Sequence, residues 1–174
     1  MNPLIAIADV LQRTPHVIRD LCNHLPENFA TKNEGPDTWS VFDIIGHMNH
    51  GERTDWIPRL ELILSDEEDK TFKPFDRFAQ FEESKGKTLN QLIDEFSELR
   101  ENNLFLLSSY ELTDEDLKRK GTHPALGEVD LHMLLHTWAT HDLNHISQIS
   151  RVIAFQMKDD VGPWKEYLRI IKDV

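Results

Sequence analysis

The sequence has a single cysteine, Cys22, among 174 residues, so no disulfide bond can form within the chain. It also has no apolar run that approaches the length of a membrane span. The N-terminal segment MNPLIAIADVLQRTPH lacks the basic region and the cleavage site of a secretory signal. We therefore expect a protein of a reducing compartment, the cytoplasm, with no membrane partner.

Basic residues are scarce, with 19 Lys and Arg against 31 Asp and Glu and a net charge of -12. Proteins that grip nucleic acid neutralise phosphates with clustered Lys and Arg, and no such cluster occurs here. We therefore expect no nucleic-acid partner, and we assign the acidic surface to solubility. The composition, 39% hydrophobic and 29% charged, is that of one globular domain over residues 1–174.

The alternation of apolar and polar residues that is typical of strands is not sustained anywhere, and no repeat is found. Apolar residues instead recur with a helical period in four segments, at about residues 3–24, 40–64, 88–110 and 129–157. Ser40 and Asp43 predict a capping box at the start of the second helix, and Pro58 predicts a bend within it. Residues 111–130 are predicted to form a short helical turn and then a loop. Four amphipathic helices on one core predict a bundle, in which metal sites are built from inward side chains.

Two histidine pairs on the fourth helix are each four residues apart: His132 with His136, and His141 with His145. At about 100° per residue, His141 and His145 fall within or beside the apolar stripe, whereas His132 and His136 face away from it. Two inward histidines one turn apart can present two imidazole nitrogens to one metal ion. Hydrogen-bonded core histidines would show the same pattern, so spacing and facing leave both interpretations open.

A metal site needs at least one further ligand, which another helix of the bundle has to supply. The second helix offers His47 and His50 in GHMNHGER, about 60° apart on its helical wheel. Either one could bind an ion while the other lies farther out or in solvent. Gly46 and Gly51 flank them, and glycine inside a helix costs about 1 kcal/mol, which indicates a packing or functional reason.

The segments WSVFDIIGHMNHGERTDW, GTHPALGEVDLHMLLHTW, LLHTWATHDLNHISQISRVI and VGPWKEYL together resemble the DinB-like (DinB/YfiT) superfamily of metal-dependent four-helix bundles. The resemblance covers nearly the whole chain. Its most specific parts are a histidine eight residues after Trp39 and the pattern H-D-x-x-H-x-x-Q that begins at His141. It implies an all-α fold, a four-helix bundle with long loops and a short C-terminal helix.

Carried over by position, the resemblance implies that His47, His141 and His145 coordinate one divalent ion, commonly zinc or nickel in relatives. His50 does not match a ligand position. Characterised relatives include S-transferases that use low-molecular-weight thiols, so the resemblance implies a small-molecule substrate and activation of a thiol for attack on an electrophile. It also implies a homodimer formed by packing of the bundles. Three protein nitrogens would leave room on the ion for the thiol or for water.

Two other functions stay open. The stretch HDLNH is similar to the zincin motif H-E-x-x-H, with Asp142 beside the first histidine, which makes a metal-dependent hydrolase the second hypothesis. The third hypothesis is a non-catalytic, stress-related protein in which the metal is structural or absent.

Four further residues are candidates for a role at the site. Glu52 and Asp55 follow the second helix's histidines at a distance that suits an outer hydrogen-bond partner or a proton acceptor, although exposed acids on a helix are commoner. Gln148 lies near both inward histidines and could orient a ligand or a substrate, or simply flank the helix. Cys22 could be a thiol ligand, but a buried free cysteine is the usual outcome.

Overall fold

The computed structural model describes residues 3–172, and most of them are helical. The α-helices are α1 (Pro3–Cys22), α2 (Glu27–Thr31), α3 (Val41–Thr54), α4 (Trp56–Leu64), α5 (Ala79–Glu83), α6 (Leu89–Ser109) and α7 (Leu131–Phe155). Strands β1 (Lys120–His123) and β2 (Gly127–Asp130) form a hairpin, and 3-10 turns occupy Asp116–Lys118, Gly162–Glu166 and Arg169–Ile171. The expected four-helix bundle is formed by α1, α3 with α4, α6 and α7. Within residues 3–172, none of the helices combines the length and the apolarity needed to span a bilayer.

Side-chain caps set the starts of the bundle helices that follow loops. The Ser40 hydroxyl accepts from the Asp43 amide at 3.2 Å, while Asp43 accepts from the Ser40 amide at 2.9 Å, which confirms the predicted capping box of α3. Thr88 begins α6 with the same reciprocal arrangement. Asp130 accepts from the Met133 amide at 2.7 Å and so begins α7.

The second predicted helix is divided in two, so the prediction of one continuous helix with a bend at Pro58 is wrong. The break lies at Asp55, where φ is −112° and ψ is −64°, between the end of α3 and the start of α4. Proline has no amide hydrogen and its ring crowds the carbonyl four residues earlier, which here belongs to Thr54. The interruption therefore falls one turn before Pro58, which then lies in the first turn of α4, where helices tolerate it.

The hairpin in residues 120–130 was not predicted. Its strands have only four residues each, too few for a clear alternation of apolar and polar residues in the sequence. Gly121 is required in β1 because a Cβ atom there would lie 2.7 Å from the ring of Phe72. A bridge between Thr71 and Thr122 ties the long α4–α5 loop to the hairpin. The loop and the hairpin together form one side of the candidate site described below.

The bundle core has two apolar clusters separated by a polar layer. The cluster at one end includes Ile7, Leu11, Trp56, Leu60 and Trp138. The cluster at the other end includes Ile18, Ile44, Met48, Phe96 and Ile149. Between them along the four helices lie buried polar residues, namely Thr14, Glu52, Arg100, Asn103 and Asp142.

Candidate metal centre

Three histidines from two facing helices converge near the middle of the bundle. His47 comes from α3, and His141 and His145 come from successive turns of α7. One nitrogen from each ring lies within 4.8 Å of the others. His145 is almost fully buried and His141 is partly buried with its Nε2 facing the other two rings, so the predicted inward orientation of the α7 pair is confirmed.

The facing atoms are the Nε2 nitrogens. His141 Nε2 lies 3.3 Å from His47 Nε2 and 3.0 Å from His145 Nε2. A tetrahedral zinc site with Zn–N bonds of about 2.0–2.1 Å requires nitrogen–nitrogen separations of about 3.3 Å. These two separations are therefore close to those of a small divalent ion's ligands, and the third pair lies within 4.8 Å. A proton shared between two rings would form a hydrogen bond in only one of these two contacts. A metal cation could accept a lone pair from the Nε2 atom of each of the three rings.

Two glutamines orient two of the rings from behind. His47 Nδ1 donates to Gln80 Oε1 at 3.2 Å, and His145 Nδ1 donates to Gln148 Oε1 at 2.8 Å. Because an amide oxygen can only accept, each neutral ring carries its proton on Nδ1 and turns an Nε2 lone pair toward the other rings. This outer arrangement is the one that metal-binding histidines generally have.

All three rings are neutral at pH 7. Burial lowers the pKa of His47 to about 4 and that of His141 to about 2, and the neighbouring His145 lowers both further. Burial also lowers the pKa of His145. Metal ligation requires deprotonated imidazole nitrogens, so these rings need not lose a proton before they bind an ion.

Residues 11–149 match the family model of the DinB superfamily. The chain belongs to this superfamily. The match spans α3, the hairpin and most of α7, and therefore includes all three converging histidines.

Among solved structures, the protein is similar to YfiT from Bacillus subtilis, with a TM-score of 0.72 and 20% sequence identity over 84% of this chain and 83% of that chain. YfiT is described as a probable metal-dependent hydrolase with an unusual four-helix bundle topology. At this level of identity the likeness establishes the fold alone. A comparison with curated proteins finds no match.

The remaining candidate histidines of this DinB-superfamily protein lie outside the cluster. His50 is buried, but its Nδ1 donates to Glu83 Oε1 at 2.9 Å rather than facing the other rings. His136 Nδ1 donates to the His132 carbonyl at 2.8 Å, and the two rings contact each other on the outer face of α7 with their centroids 4.0 Å apart. His132 and His136 therefore face outward as predicted.

Asp142 does not occupy the position of a zincin general base. Its side chain turns into the polar layer, where it accepts from Arg100 at 2.6 and 2.9 Å. Asp142, the carboxylate beside His141 in HDLNH, therefore forms a buried ion pair. The sequence is similar to the zincin motif, but the structure does not place a general base there.

Glu52 and Asp55 are buried, so the expectation that they are ordinary exposed acids is wrong. Glu52 accepts from Arg100 at 2.8 and 3.1 Å and from Trp138 Nε1 at 2.9 Å, which places it in the polar layer. Asp55 pairs with Arg59 on the wall of the cavity beside the histidines. Burial raises the pKa of Asp55 to about 6, although Arg59 opposes the shift.

Two residues that the sequence analysis did not select have central positions. Arg100 lies on the apolar face of α6, one turn after the buried Phe96. A charged residue within an apolar stripe is the sequence feature that could have indicated a buried ion pair. Gln80 comes from the short helix α5 in a long loop, and nothing in the sequence indicates its contact with His47. Gln148, by contrast, has the predicted orienting position, and Cys22 is the buried free cysteine that was expected.

A cavity of about 510 Å³ opens beside the three histidines. Aromatic side chains of Trp39, Trp56 and Phe75 form much of its wall. Gly51 also lines it, and a Cβ atom at this position would lie 3.6 Å from Trp56 Nε1. That distance is an ordinary contact, so packing does not require glycine at this position. Gly46 does have a packing role, because a Cβ atom there would lie 2.5 Å from Ser84 Oγ.

Replacing Gln148 with leucine should lower the affinity for a divalent ion by about 10–100-fold, because His145 loses the acceptor that fixes its ring and its proton. Titration of the ion against a chromophoric chelator measures the change. Gln148→Glu retains an acceptor oxygen and should keep most of the affinity. Equal affinities for Gln148→Leu and the unaltered protein would show that the hydrogen bond has no role in binding.

Proposed function

We propose that the protein is a metal-dependent enzyme in which His47, His141 and His145 bind one divalent ion, zinc or nickel. The convergence of three neutral imidazoles through their Nε2 atoms carries the proposal. Three protein ligands leave a position free for a substrate, as in catalytic rather than structural sites.

A divalent ion held by neutral nitrogens supplies Lewis-acid activation and favours the deprotonated form of a thiol or of water. Gln80 and Gln148 keep the rings in place during this chemistry. The aromatic wall formed by Trp39, Trp56 and Phe75 offers an apolar surface for a small organic molecule and limits the access of water.

The reaction that we favour is transfer of a low-molecular-weight thiol to an electrophile through its sulfur atom. In this reaction the thiol loses its proton, sulfur forms a bond to the electrophilic carbon, and the leaving group departs with its electron pair. Asp55 lines the cavity beside the histidines with Arg59 as its ion-pair partner, and we assign its carboxylate as the proton acceptor.

A metal-dependent hydrolase is the second choice, and the description of YfiT favours it. In this case the same cavity would hold an ester or amide, and Asp55 would take a proton from water. The two choices differ in whether a thiol is consumed.

Removal and restoration of the ion tests the proposal. The protein is stripped with a chelator and reloaded with zinc or nickel, and each form is assayed with a panel of small thiols plus a chlorodinitrobenzene, and with nitrophenyl esters without thiol. We expect thiol conjugation that is lost on stripping and recovered on reloading. Ester cleavage without conjugation would favour the hydrolase. A lower melting temperature after stripping, with no turnover in any form, would indicate a structural ion and overturn the proposal.

We also propose a cytoplasmic homodimer, on the grounds given by the sequence and the family resemblance. Light scattering on the purified protein should then give twice the chain mass of 20.3 kDa.

A further inference from the structure

The cavity beside the histidines carries an arginine whose charge is not neutralised. Seven of the nine arginines form ion pairs with Asp or Glu. In the described part of the chain only Arg77 and Arg169 do not. Arg77 lines the cavity together with all three histidines, whereas Arg169 lies in a surface 3-10 turn near the C-terminus.

The second arginine of the cavity is already occupied. Arg59 forms an ion pair with Asp55, and its guanidinium lies 5.1 Å from the centre of the Phe72 ring. Arg59 and Asp55 together contribute no net charge when both are ionised. The uncompensated positive charge on the wall therefore belongs to Arg77.

His123 adds a neutral hydrogen-bond donor to the same wall. Its Nδ1 accepts from the amides of Ala125 at 3.1 Å and Leu126 at 3.2 Å. A ring nitrogen that accepts two hydrogen bonds is unprotonated, so the proton of the neutral ring is on Nε2. His123 lines the cavity, so the turn of the hairpin brings a side chain with one N–H group to this wall.

This positive group contrasts with the chain as a whole, whose net charge is -12. An acidic surface repels small anions, so a single unpaired guanidinium beside an aromatic wall distinguishes this cavity from the surrounding surface. Guanidinium groups bind carboxylates with paired, charge-assisted hydrogen bonds.

We propose that Arg77 and His123 bind the carboxylate of a small-molecule substrate whose apolar body lies against Trp56 and Phe75. This inference deepens the proposed function, since it assigns the class of molecule that enters the metal cavity. The substrate or the thiol is accordingly an organic acid rather than a neutral or cationic compound.

A matched pair of probes tests the inference without any turnover. 3-Phenylpropionate and the neutral 3-phenylpropionamide are titrated by calorimetry into the unaltered protein, Arg77→Gln, Arg77→Lys and Arg169→Gln. Every protein is measured both after chelation and after loading with zinc, and the zinc content of each sample is determined. The chelated series removes any binding of the carboxylate to the ion itself.

We expect the unaltered protein to bind the carboxylate about tenfold more tightly than the amide in both series, the size typical of one charge-assisted contact. Arg77→Gln should abolish this preference and leave the affinity for the amide unchanged, and Arg77→Lys should retain part of it. Arg169→Gln removes the other unpaired arginine and should behave as the unaltered protein. The preference should weaken as salt is added.

A preference that persists in Arg77→Gln, or one that is absent from the unaltered protein, overturns the inference. Zinc content separates this result from a failure of the proposed function. Protein that binds zinc but shows no carboxylate preference retains the metal proposal and loses the inference. Protein that binds no zinc but prefers the carboxylate in the chelated series supports the inference and overturns the metal proposal.

Discussion

Replacing Arg100 with methionine should lower the free energy of unfolding by about 3–5 kcal/mol, the cost of leaving buried charges without their partner. The guanidinium makes five hydrogen bonds, two each to Glu52 and Asp142 and one to the Leu11 carbonyl. These satisfy all its N–H groups. The three charged side chains are each only 1% exposed, so water cannot take the place of any partner.

The ionisation behaviour of this layer agrees with that expectation. Burial alone would lower the pKa of Arg100, but Glu52 and Asp142 more than offset it and the pKa is raised. Burial raises the pKa of Asp142, against the opposing charge of Arg100. Without Arg100, the layer would have to hold two carboxyl groups that are either charged and unpaired or protonated at a cost.

Urea denaturation of a small set of variants measures the effect. Arg100→Met combined with Glu52→Gln and Asp142→Asn should recover much of the loss, because it removes the charges as well as their partner. Arg13→Met breaks an exposed pair with Asp9 and should change the stability by less than about 1 kcal/mol. If Arg100→Met were no more destabilising than Arg13→Met, the polar layer would not depend on this ion pair.

The second large effect is expected from the histidines themselves. Purified protein should contain one divalent ion per chain, and His47→Ala, His141→Ala and His145→Ala should each lose it. Loss of a ligand should cost more affinity than the roughly 10–100-fold that removal of an outer hydrogen-bond partner costs. His50→Ala should keep the ion, because His50 faces Glu83 and not the other rings.

Elemental analysis gives the occupancy, and thermal unfolding gives an independent measure. An ion at 100 times its Kd stabilises a protein by about 2.7 kcal/mol, which raises the melting temperature of a chain of this size by roughly 5–10 °C. The rise should appear in the unaltered protein and in His50→Ala, and should be absent from His145→Ala. Full occupancy in His47→Ala would refute the three-histidine assignment.

Much of the bundle could be predicted from local signals. The apolar period predicted both ends of the first, third and fourth helices to within two residues, and the cap at Ser40 predicted the start of the second. The break at Asp55 was misplaced because a proline acts on the carbonyl one turn before it. The hairpin escaped prediction because its four-residue strands depend on the fit of Gly121 against Phe72, which joins residues far apart in the chain.

The candidate site divides in the same way. Helical geometry separated His141 and His145 from His132 and His136, since facing within one helix depends only on spacing. The choice of His47 over His50 came from the family resemblance, and the structure places the two rings in different environments.

The sequence by itself determined the helical class, the inward histidine pair on α7 and the acidic character that argues against nucleic acid. These follow from spacing and composition along one segment at a time. The tertiary structure alone decided that Gln80 orients His47, that Asp142 turns to Arg100 and that Arg77 stands unpaired at the cavity. Each of these depends on which side chains from distant segments meet. The buried Asp142 requires the charge of Arg100, whereas the exposed Arg77 keeps its charge in contact with water at the cavity mouth.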